Sequence, residues 1–226
     1  MKCDLMRAPY GDDMMVVDVA RVSLAKTAAM FSDARNVGLI QYLAKNQHWS
    51  PFAHCCMSFR CEAPLYVARQ LWKHQVGLVH DLVEVMPCPM GWNESSRRYI
   101  TIEPQLDLPD VWRSAPDGSI KQGSGAPLED QYHIDEEVTA FYETALETYR
   151  DLLRRGVAPE QARIILPQSL VVHWIWTGSL FAWARLCKQR LDSHAQSETR
   201  EFARMVVQHM RDHFPESTKA LMEETQ

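Results

Sequence analysis

The sequence has no glycine-rich loop of the kind by which Rossmann and P-loop proteins hold nucleotide phosphates, which excludes both of those site types. It also has no apolar run long enough to span a bilayer, and residues 1–7 contain no hydrophobic region of a secretion signal. We therefore expect a cytoplasmic protein that does not use a membrane. The formal net charge of −5 argues against a nucleic-acid partner, although it is compatible with a local basic pocket for one phosphate.

The six cysteines follow no zinc-binding spacing and form no C-x-x-C redox motif. We expect no metal site, and we expect free thiols that are mostly buried as small apolar side chains. The proline-flanked Cys88 has no adjacent base in the sequence. Covalent attack on a substrate ring by a cysteine is therefore not the favoured chemistry.

The 226 residues, 46% hydrophobic and 23% charged, suffice for one globular domain, which we place at residues 1–226. Residues 12–23 are apolar and β-branched and predict a strand; residues 53–62 alternate apolar and polar side chains and predict a half-buried strand. Helical patterns follow at 33–43 (capped by Asp33), 65–75, 137–155, 159–166, 177–190 and, after a capping box of Ser193 and Gln196, up to 210. Strands early and helices late predict an α/β (α+β) fold, a single mixed domain.

Residues 106–130 are rich in proline, glycine, serine and aspartate and predict a long surface loop. Loops of this length in a compact domain are usually either functional or disordered. We do not interpret this one as a linker between domains, because the polar clusters before and after it belong together.

Two polar clusters precede that loop. In residues 69–75, Arg69, Gln70 and Lys73 share one helix face, which can hold a phosphate or a polar ring; the alternative is a solvated basic surface. In residues 93–99, short hydroxyl side chains stand beside Arg97 and Arg98, a combination that suits an oxyanion. The alternative there is a turn followed by an exposed strand.

Two further clusters follow the loop. Arg163 leads a short apolar run that ends at Pro167, and a partly buried arginine must be paired, either with a protein carboxylate or with a ligand anion. Arg190 and His194 lie four residues apart near a predicted helix start, a place that favours anions. The alternative for His194 is a structural histidine at a helix cap.

Taken in this order, the clusters resemble those of the flavin-dependent thymidylate synthases. The resemblance rests on the blocks at 20–23, 39–43, 48–54, 67–70, 93–99, 162–167, 176–178 and 192–196, and it covers nearly the whole chain. It implies an antiparallel sheet packed with helices, and reductive methylation of dUMP to dTMP with FAD, 5,10-methylenetetrahydrofolate and NADPH. It also implies that no cysteine nucleophile is needed, and that the protein is a homotetramer whose active sites are shared between subunits.

The resemblance also implies roles for individual positions. Arg190 matches the catalytic arginine thought to polarise the uracil ring near N3. The positions that match dUMP contacts are Gln70, Lys73, Glu94, Ser95, Ser96, Arg97, Arg98, Arg163 and Arg190. The positions that match FAD contacts are Ser23, His48, Ser50, Lys73, His74, Gln75, Ser179, Phe181, Arg185 and His194.

Some of these positions depart from the family pattern. Lys73, His74 and Gln75 stand where the family usually has Arg-His-Arg, so the first position loses its forked donor and the third loses its charge. Ser179 and Phe181 stand where many relatives have Asn and Arg, which implies weaker FAD binding or greater reliance on Arg185 and Lys73.

Residues 78–92 form an insertion between blocks that the family runs nearly together. It can loop out, cover the pocket or displace Ser96 and Arg98. We expect it to loop out, because lengthening a surface loop lowers the free energy of unfolding only slightly. Two other functions remain open: a family-shaped protein that binds nucleotide or flavin without turnover, and a helical interaction module whose polar clusters are only surface.

Overall fold

The computed structural model describes residues 1–74, 91–100, 102–116 and 123–223. In this part of the chain one antiparallel sheet has the strand order β1-β2-β4-β3. The strands are β1 (Lys2–Leu5), β2 (Cys56–Pro64), β3 (Gly91–Glu94) and β4 (Val171–Ser179). The mixed fold with an antiparallel sheet is confirmed.

Helices pack around this sheet. They are α1 (Asp13–Arg21), α2 (Asp33–Lys45), α3 (Ser50–Ala53), α4 (Leu65–Trp72), α5 (Gln131–Arg154), α6 (Pro159–Ala162), α7 (Leu180–Arg190), α8 (Ser197–His213) and α9 (Pro215–Met222). Short 3-10 turns lie at Val22–Leu24, Ala28–Met30 and Arg163–Ile165. Among the described residues, none of the helices combines the length and the apolar character that a membrane crossing requires.

The strand predicted at residues 53–62 is confirmed from Cys56 onward by β2, which pairs with β1 on one side and β4 on the other. Its predicted start is wrong, because Ala53 is the last residue of α3. Met57, Phe59 and Cys61 are buried in the core, whereas Arg60, from the other face, is exposed. This is the period of two that a strand with one core-facing side requires. Across the pair, the hydroxyls of Ser58 and Thr177 lie 2.8 Å apart and share a hydrogen bond.

The short edge strand β3 is anchored by tryptophans. The Trp92 ring stacks on Trp174 at 4.6 Å between centroids and meets Trp176 and Trp72 edge-on at 5.1 and 5.2 Å. Such aromatic contacts stabilise beyond the area they bury. They fix the strand from which the cluster at residues 95–98 emerges.

Close packing of β4 against Trp183 favours glycine at position 178. A Cβ on Gly178 would lie 3.0 Å from the ring of Trp183, which is itself 1% exposed. The Trp183 indole donates to the Met57 carbonyl at 3.3 Å and cannot retreat without losing that bond. The glycine of the block at 176–178 therefore allows Trp183, and with it α7, to pack closely on the sheet.

The strand predicted for residues 12–23 is wrong, because these residues form α1. The Asp12 carboxylate accepts from the Met15 backbone N–H at 2.8 Å and so caps the helix. Val16 and Val17 are both fully buried in the helical conformation. A short apolar run fits a buried strand and a buried helix equally well, and here the cap and the tertiary packing select the helix.

The start predicted for the helix at 177–190 is also wrong. Residues 177–179 complete β4, and the Ser179 hydroxyl then accepts from the Ala182 N–H at 3.2 Å to cap α7. The capping box is wrong as well, because α8 begins only at Ser197 without a side-chain cap. The turn before α8 is instead held by Arg200, which donates to the carbonyls of Ser193 and Ala195 at 2.8 and 2.7 Å.

The remaining helices lie where they were predicted, with the following corrections. The cap predicted at Asp33 is wrong, because Asp33 is the first residue of α2 and Ser32 is its N-cap. Helix α4 ends at Trp72, and the helix predicted at 159–166 is α6 followed by a 3-10 turn. The helix predicted at 137–155 is α5, which starts earlier than expected at Gln131, ends at Arg154 and is stopped by Gly156 with φ +83°. The described part of residues 106–130 contains only two isolated bridges, Leu106 to Leu170 and Arg113 to Pro127, before α5 begins. The core face of α8 is buried as expected.

A buried carboxylate ties the two ends of the chain together. Asp13, 8% exposed, accepts from the backbone N–H groups of Glu216 and Ser217 at 2.8 and 2.9 Å. Its negative charge thus lies at the N-terminus of α9, where the helix dipole stabilises it. The interaction seats α9, which carries one wall of a cavity described below.

We expect Asp13→Ala to lower the free energy of unfolding by about 2–3 kcal/mol, because two backbone donors lose a charged partner in a buried place. Asp13→Asn should also destabilise, since its amide nitrogen must face one of these N–H groups. Chemical denaturation at fixed protein concentration measures both. The control is Asp33→Ala in the exposed first turn of α2, expected to cost about 0.5 kcal/mol. Equal effects at the two positions would contradict the buried-cap role.

Candidate functional site

The first cavity, here called the Gln70 cavity, has a volume of about 780 Å³. It lies between α4, the turn before α8 and the described part of the long loop. Gln70, Arg190 and His194, three of the predicted contact residues, line it. The sequence clusters on either side of the loop therefore meet in space, as their resemblance implies.

The N-terminus of α8 borders the Gln70 cavity. Gln196 and Ser197 line it, and the Gln70 amide donates to the side-chain oxygen of Gln196. The free backbone N–H groups of a helix start favour a bound anion. The cavity thus combines an amide, the positive end of a helix and the guanidinium of Arg190.

The Gln70 cavity is also lined by groups that the sequence did not single out as contacts. They are Asp107 and Trp112 of the long loop, Tyr66 of α4 and Tyr142 of α5, and the Tyr142 hydroxyl donates to the Asp107 backbone carbonyl at 3.0 Å. Burial raises the pKa of the Asp107 carboxyl above its ordinary value. The composition of residues 106–130 predicted a long surface loop, either functional or disordered, and this was the available signal for Asp107 and Trp112.

The long loop also approaches His194 directly. Gly123 has φ +95°, and a Cβ there would lie 2.9 Å from the His194 carbonyl oxygen. His194 itself is exposed; its backbone N–H and its Nδ1 both contact the Asp192 carboxylate, at 2.8 and 2.9 Å. The His194 ring is therefore oriented by Asp192 at the rim of the cavity.

The second cavity, here called the His74 pocket, has a volume of about 210 Å³ and lies between the end of α4 and α7. Lys73, His74, Arg185 and Arg190 line it. Arg190 Nε lies 2.7 Å from His74 Nε2. A guanidinium can only donate, so His74 Nε2 must be the acceptor and the imidazole is neutral with its proton on Nδ1. Burial, reinforced by the charges of Arg190 and Arg185, lowers the pKa of His74 to about 4.

The third cavity, here called the Trp49 cavity, has a volume of about 1260 Å³ and lies between the end of α2, α3, α7 and α9. His48, Phe181 and Arg185, predicted FAD contacts, line it together with Trp49, Lys188 and Lys219. The rings of Trp49 and Phe181 lie 6.0 Å apart at 43°. Aromatic faces beside several cations suit a flat ring system joined to phosphates.

The other predicted FAD contacts lie elsewhere or are engaged. Ser23 donates to the Ala20 carbonyl at 3.4 Å, and Ser50 begins α3 next to Trp49. Ser179 is buried and caps α7. Gln75 lies outside the described residues, as does the insertion apart from residues 91–92, which begin β3.

The second half of the predicted dUMP set lies apart from the three cavities. Arg98 pairs with the Glu160 carboxylate at 3.2 Å, and Arg163 donates to the Glu160 backbone carbonyl at 3.2 Å. Arg97 donates to the carbonyls of Ile102 and Glu103. The partial burial expected for Arg163 is wrong, because it lies exposed on a 3-10 turn, and its described partner is a backbone carbonyl.

The rest of that cluster is held by the sheet edge. The Ser95 N–H donates to the His173 carbonyl at 2.8 Å, and the Ser96 hydroxyl accepts from the Arg98 N–H at 3.3 Å. Glu94 ends β3 and accepts from the Trp92 indole at 3.3 Å. Within the described part of one chain, these residues form an ordered surface and contribute nothing to the Gln70 cavity.

Comparison with known proteins gives consistent matches. The family model described as thymidylate synthase complementing protein matches residues 4–216. The flavin-dependent thymidylate synthase of Thermus thermophilus is 32% identical over 210 residues, 91% of this chain and 70% of that protein. That of Kosmotoga olearia is 32% identical over 215 residues, 94% and 86% of the two chains. The crystal structure of the UMP/dUMP methylase PolB from Streptomyces cacaoi bound with 5-Br dUMP has a TM-score of 0.82 at 28% identity, covering 97% of this chain and 93% of that one.

We expect stability to fall on acidification through His74. Between its ordinary pKa of 6.5 and its folded pKa of about 4, the unfolded chain binds a proton that the folded chain does not, so the free energy of unfolding decreases as the pH drops. Denaturant midpoints should fall more steeply over this window in the wild type than in His74→Gln. Parallel curves for the two proteins would show that His74 titrates normally.

Proposed function

We propose the reaction of this protein from its family: the chain belongs to the flavin-dependent thymidylate synthases, whose family model matches residues 4–216. As a member it is an enzyme that methylates dUMP to dTMP with a flavin. We infer further that 5,10-methylenetetrahydrofolate donates the carbon, that FAD is the flavin and that NADPH reduces it. The observation that carries the proposal is the convergence of Gln70 and Arg190 on one cavity beside a helix start.

The Gln70 cavity is the proposed dUMP site. Gln70 can donate to and accept from the amide-like edge of a uracil ring, and Arg190 can donate to a ring carbonyl. A fixed positive charge at that carbonyl stabilises negative charge on the ring and so makes C5 more nucleophilic. The N-terminus of α8 adds donors for the anionic part of the nucleotide.

The Trp49 cavity fits FAD by the chemistry of its lining. Trp49 and Phe181 offer faces for a flat ring, while Arg185, Lys188 and Lys219 offer charge for a pyrophosphate. When bound, FAD supplies the redox step of the reaction, and the protein supplies binding and orientation. The replacement of the family's arginine by Phe181 is thus balanced by cations on α7 and α9.

The state of the thiols supports a mechanism without a cysteine nucleophile. Burial, with the charges of Asp12 and Asp13, raises the pKa of Cys55 to about 12, and burial also raises the pKa of Cys187. The pKa of Cys3 is raised by its hydrogen bond with Cys61 and by burial. A thiol needs to ionise to attack, so these three are unsuited to that role.

We propose that the cluster at residues 94–98 completes the Gln70 cavity of another subunit. Within one chain it is ordered but lies away from that cavity, and Arg163 beside it is exposed. The long helix α5 also exposes large apolar side chains, with Phe141 58% and Tyr132 66% exposed. Surfaces of this kind mark interaction sites, in keeping with a homotetramer whose sites are shared.

The test is anaerobic turnover of the purified protein with dUMP, 5,10-methylenetetrahydrofolate, FAD and NADPH, scored as dTMP by chromatography. We expect product that depends on both FAD and NADPH, and a loss of about 10²–10³-fold in Arg190→Ala, because one preorganised donor at the developing charge is removed. Arg211→Ala, at the exposed end of α8, is the charge-matched control. UMP is assayed in parallel, since PolB is a UMP/dUMP methylase.

Near wild-type turnover by Arg190→Ala would contradict the proposed activation of uracil. Tight dUMP binding by the wild-type protein without product would favour a binding protein. Absence of dUMP binding would favour an interaction module.

We expect subunit mixing to restore activity. Arg190→Ala and Arg98→Ala should each be inactive alone, but coexpression should regain about a quarter of the sites, because random mixing places both wild-type residues together there. The matched control combines Arg190→Ala with Gln70→Ala, which share one cavity of one chain. This second pair should recover nothing. Equal recovery by both pairs, or by neither, would contradict the proposed division of the site.

A further inference from the structure

The contact between Arg190 and His74 has an unusual chemical character. Arg190 is the last residue of α7, and its Nε–H donates to His74 Nε2 at 2.7 Å. Arginines inside proteins are commonly held by carboxylates, with two parallel hydrogen bonds. Among the described residues, Arg190 has no carboxylate within ion-pair distance, and Nε is the one nitrogen that donates to a protein group. Its other N–H donors therefore remain available to the Gln70 cavity.

The acceptor is fixed by the backbone of α4. The His74 N–H donates to the Leu71 carbonyl at 2.9 Å, and the Lys73 N–H donates to the Gln70 carbonyl at 3.2 Å. One helical turn thus carries Gln70, which faces the substrate cavity, and His74, which holds Arg190. The two proposed uracil contacts are positioned by the same five residues of the chain, 70–74.

A neutral acceptor has a consequence that a carboxylate would not have. A carboxylate would orient the guanidinium but would also neutralise its charge, which the proposed reaction needs. An imidazole lone pair orients the guanidinium and leaves its full positive charge for the substrate ring.

The groups that face His74 confirm that it must stay neutral to do this. They are Arg190 and Arg185 from α7 and Lys73 from its own turn, all cationic. A proton on Nε2 would remove the acceptor and add a fourth positive charge to the pocket.

We propose that His74 is a positioning residue, whose neutral imidazole orients the Arg190 guanidinium without neutralising it. This rests on the proposed function, in which Arg190 acts on the uracil ring. It goes beyond a flavin-contact role for His74, because it predicts that His74 acts on dUMP through Arg190. It also fits the low pKa of His74, which burial lowers first and the charges of Arg190 and Arg185 lower further.

Three substitutions separate the parts of this proposal. His74→Gln keeps an acceptor at a similar reach, His74→Leu removes it at similar volume, and His74→Glu supplies an acceptor that neutralises Arg190. We expect His74→Leu to lose about 10²-fold in kcat with dUMP, the scale of a misplaced catalytic group. His74→Gln should stay within about 10-fold of the wild type, because a neutral amide oxygen restores the hydrogen bond. His74→Glu should lose about as much kcat as His74→Leu, because its carboxylate neutralises Arg190. His213→Gln, at the exposed end of α8, is the control for loss of a histidine.

Three readouts accompany kcat. Flavin content from visible absorbance should be equal in all variants, and the dUMP Kd should rise in His74→Leu. On the acid side, the decline in turnover that is centred near the folded pKa of His74, about 4, in the wild type should vanish in His74→Gln. Lost flavin with unchanged dUMP affinity in His74→Leu would make His74 a flavin contact and overturn the proposal. Turnover of His74→Glu equal to that of His74→Gln would overturn the argument from charge.

One measurement is independent of activity. The Arg190 Nε–H proton in a ¹⁵N-arginine NMR spectrum should exchange slowly in the wild type and in His74→Gln, and rapidly in His74→Leu. If the wild type makes no dTMP, the proposed function fails, and this signal alone still decides whether His74 holds Arg190. Rapid exchange in the wild type would overturn the positioning role.

Discussion

The antiparallel pairing of β2 with β4 is the constraint on which the proposed site depends. In its register Cys56 faces Ser179 and Pro64 faces Val171, and each strand runs directly into a helix. At each junction the first residue of the helix donates a backbone hydrogen bond to the residue that directly precedes the other strand. The Leu65 N–H donates to the Leu170 carbonyl, and the Leu180 N–H donates to the Cys55 carbonyl, each at 2.8 Å. Helices α4 and α7 therefore leave the pair from opposite ends, and Arg190, the last residue of α7, meets His74, which lies two residues beyond the end of α4. A slip of one strand by one residue in this register would turn the core-facing side chains of that strand outward and separate Arg190 from His74.

This register brings several cations together in the His74 pocket, and their charges determine the electrostatics of that pocket. Lys73, Arg185 and Arg190 converge on one small pocket, and the side chain between them is a neutral histidine. Lys73 and Arg185 are exposed, whereas Arg190 is partly buried, and its hydrogen bond to His74 offsets the cost of that burial without cancelling the charge. On the outer surface the same residue type behaves differently, because Arg98 is held by the Glu160 carboxylate in an exposed pair of little energetic value. Arg190 in the pocket therefore keeps a positive charge that can act on a ligand, whereas the charge of Arg98 at the surface is neutralised by its partner.

Sequence reasoning succeeded where one local pattern had one structural solution. The alternation in β2 and the long stripe of α5 are of this kind, and so is the meeting of Gln70 with Arg190, which the ordered motifs implied. It failed at residues 12–17, where four adjacent apolar residues satisfy either period and a capping aspartate decides. It failed again at Thr177, because strand and helix signals overlap where β4 passes into α7. The His74 contact was beyond reach, since it joins residues 116 apart through a register that no local pattern encodes.

The distribution of arginines argues that one chain presents two halves of different sites. Arg190 reaches a cavity from which Arg98 and Arg163 are absent, although all three belong to the motif set of the family. A misplaced set would be expected to be poorly held, yet Ser95 is tied to β4 by a 2.8 Å backbone hydrogen bond and Trp92 is stacked into the core. This second set is therefore built as firmly as the first, and Ile164 beside Arg163 is 84% exposed on the same face. Cations next to an exposed apolar side chain suit a surface that closes over another subunit's nucleotide, which is the arrangement that we propose for this site.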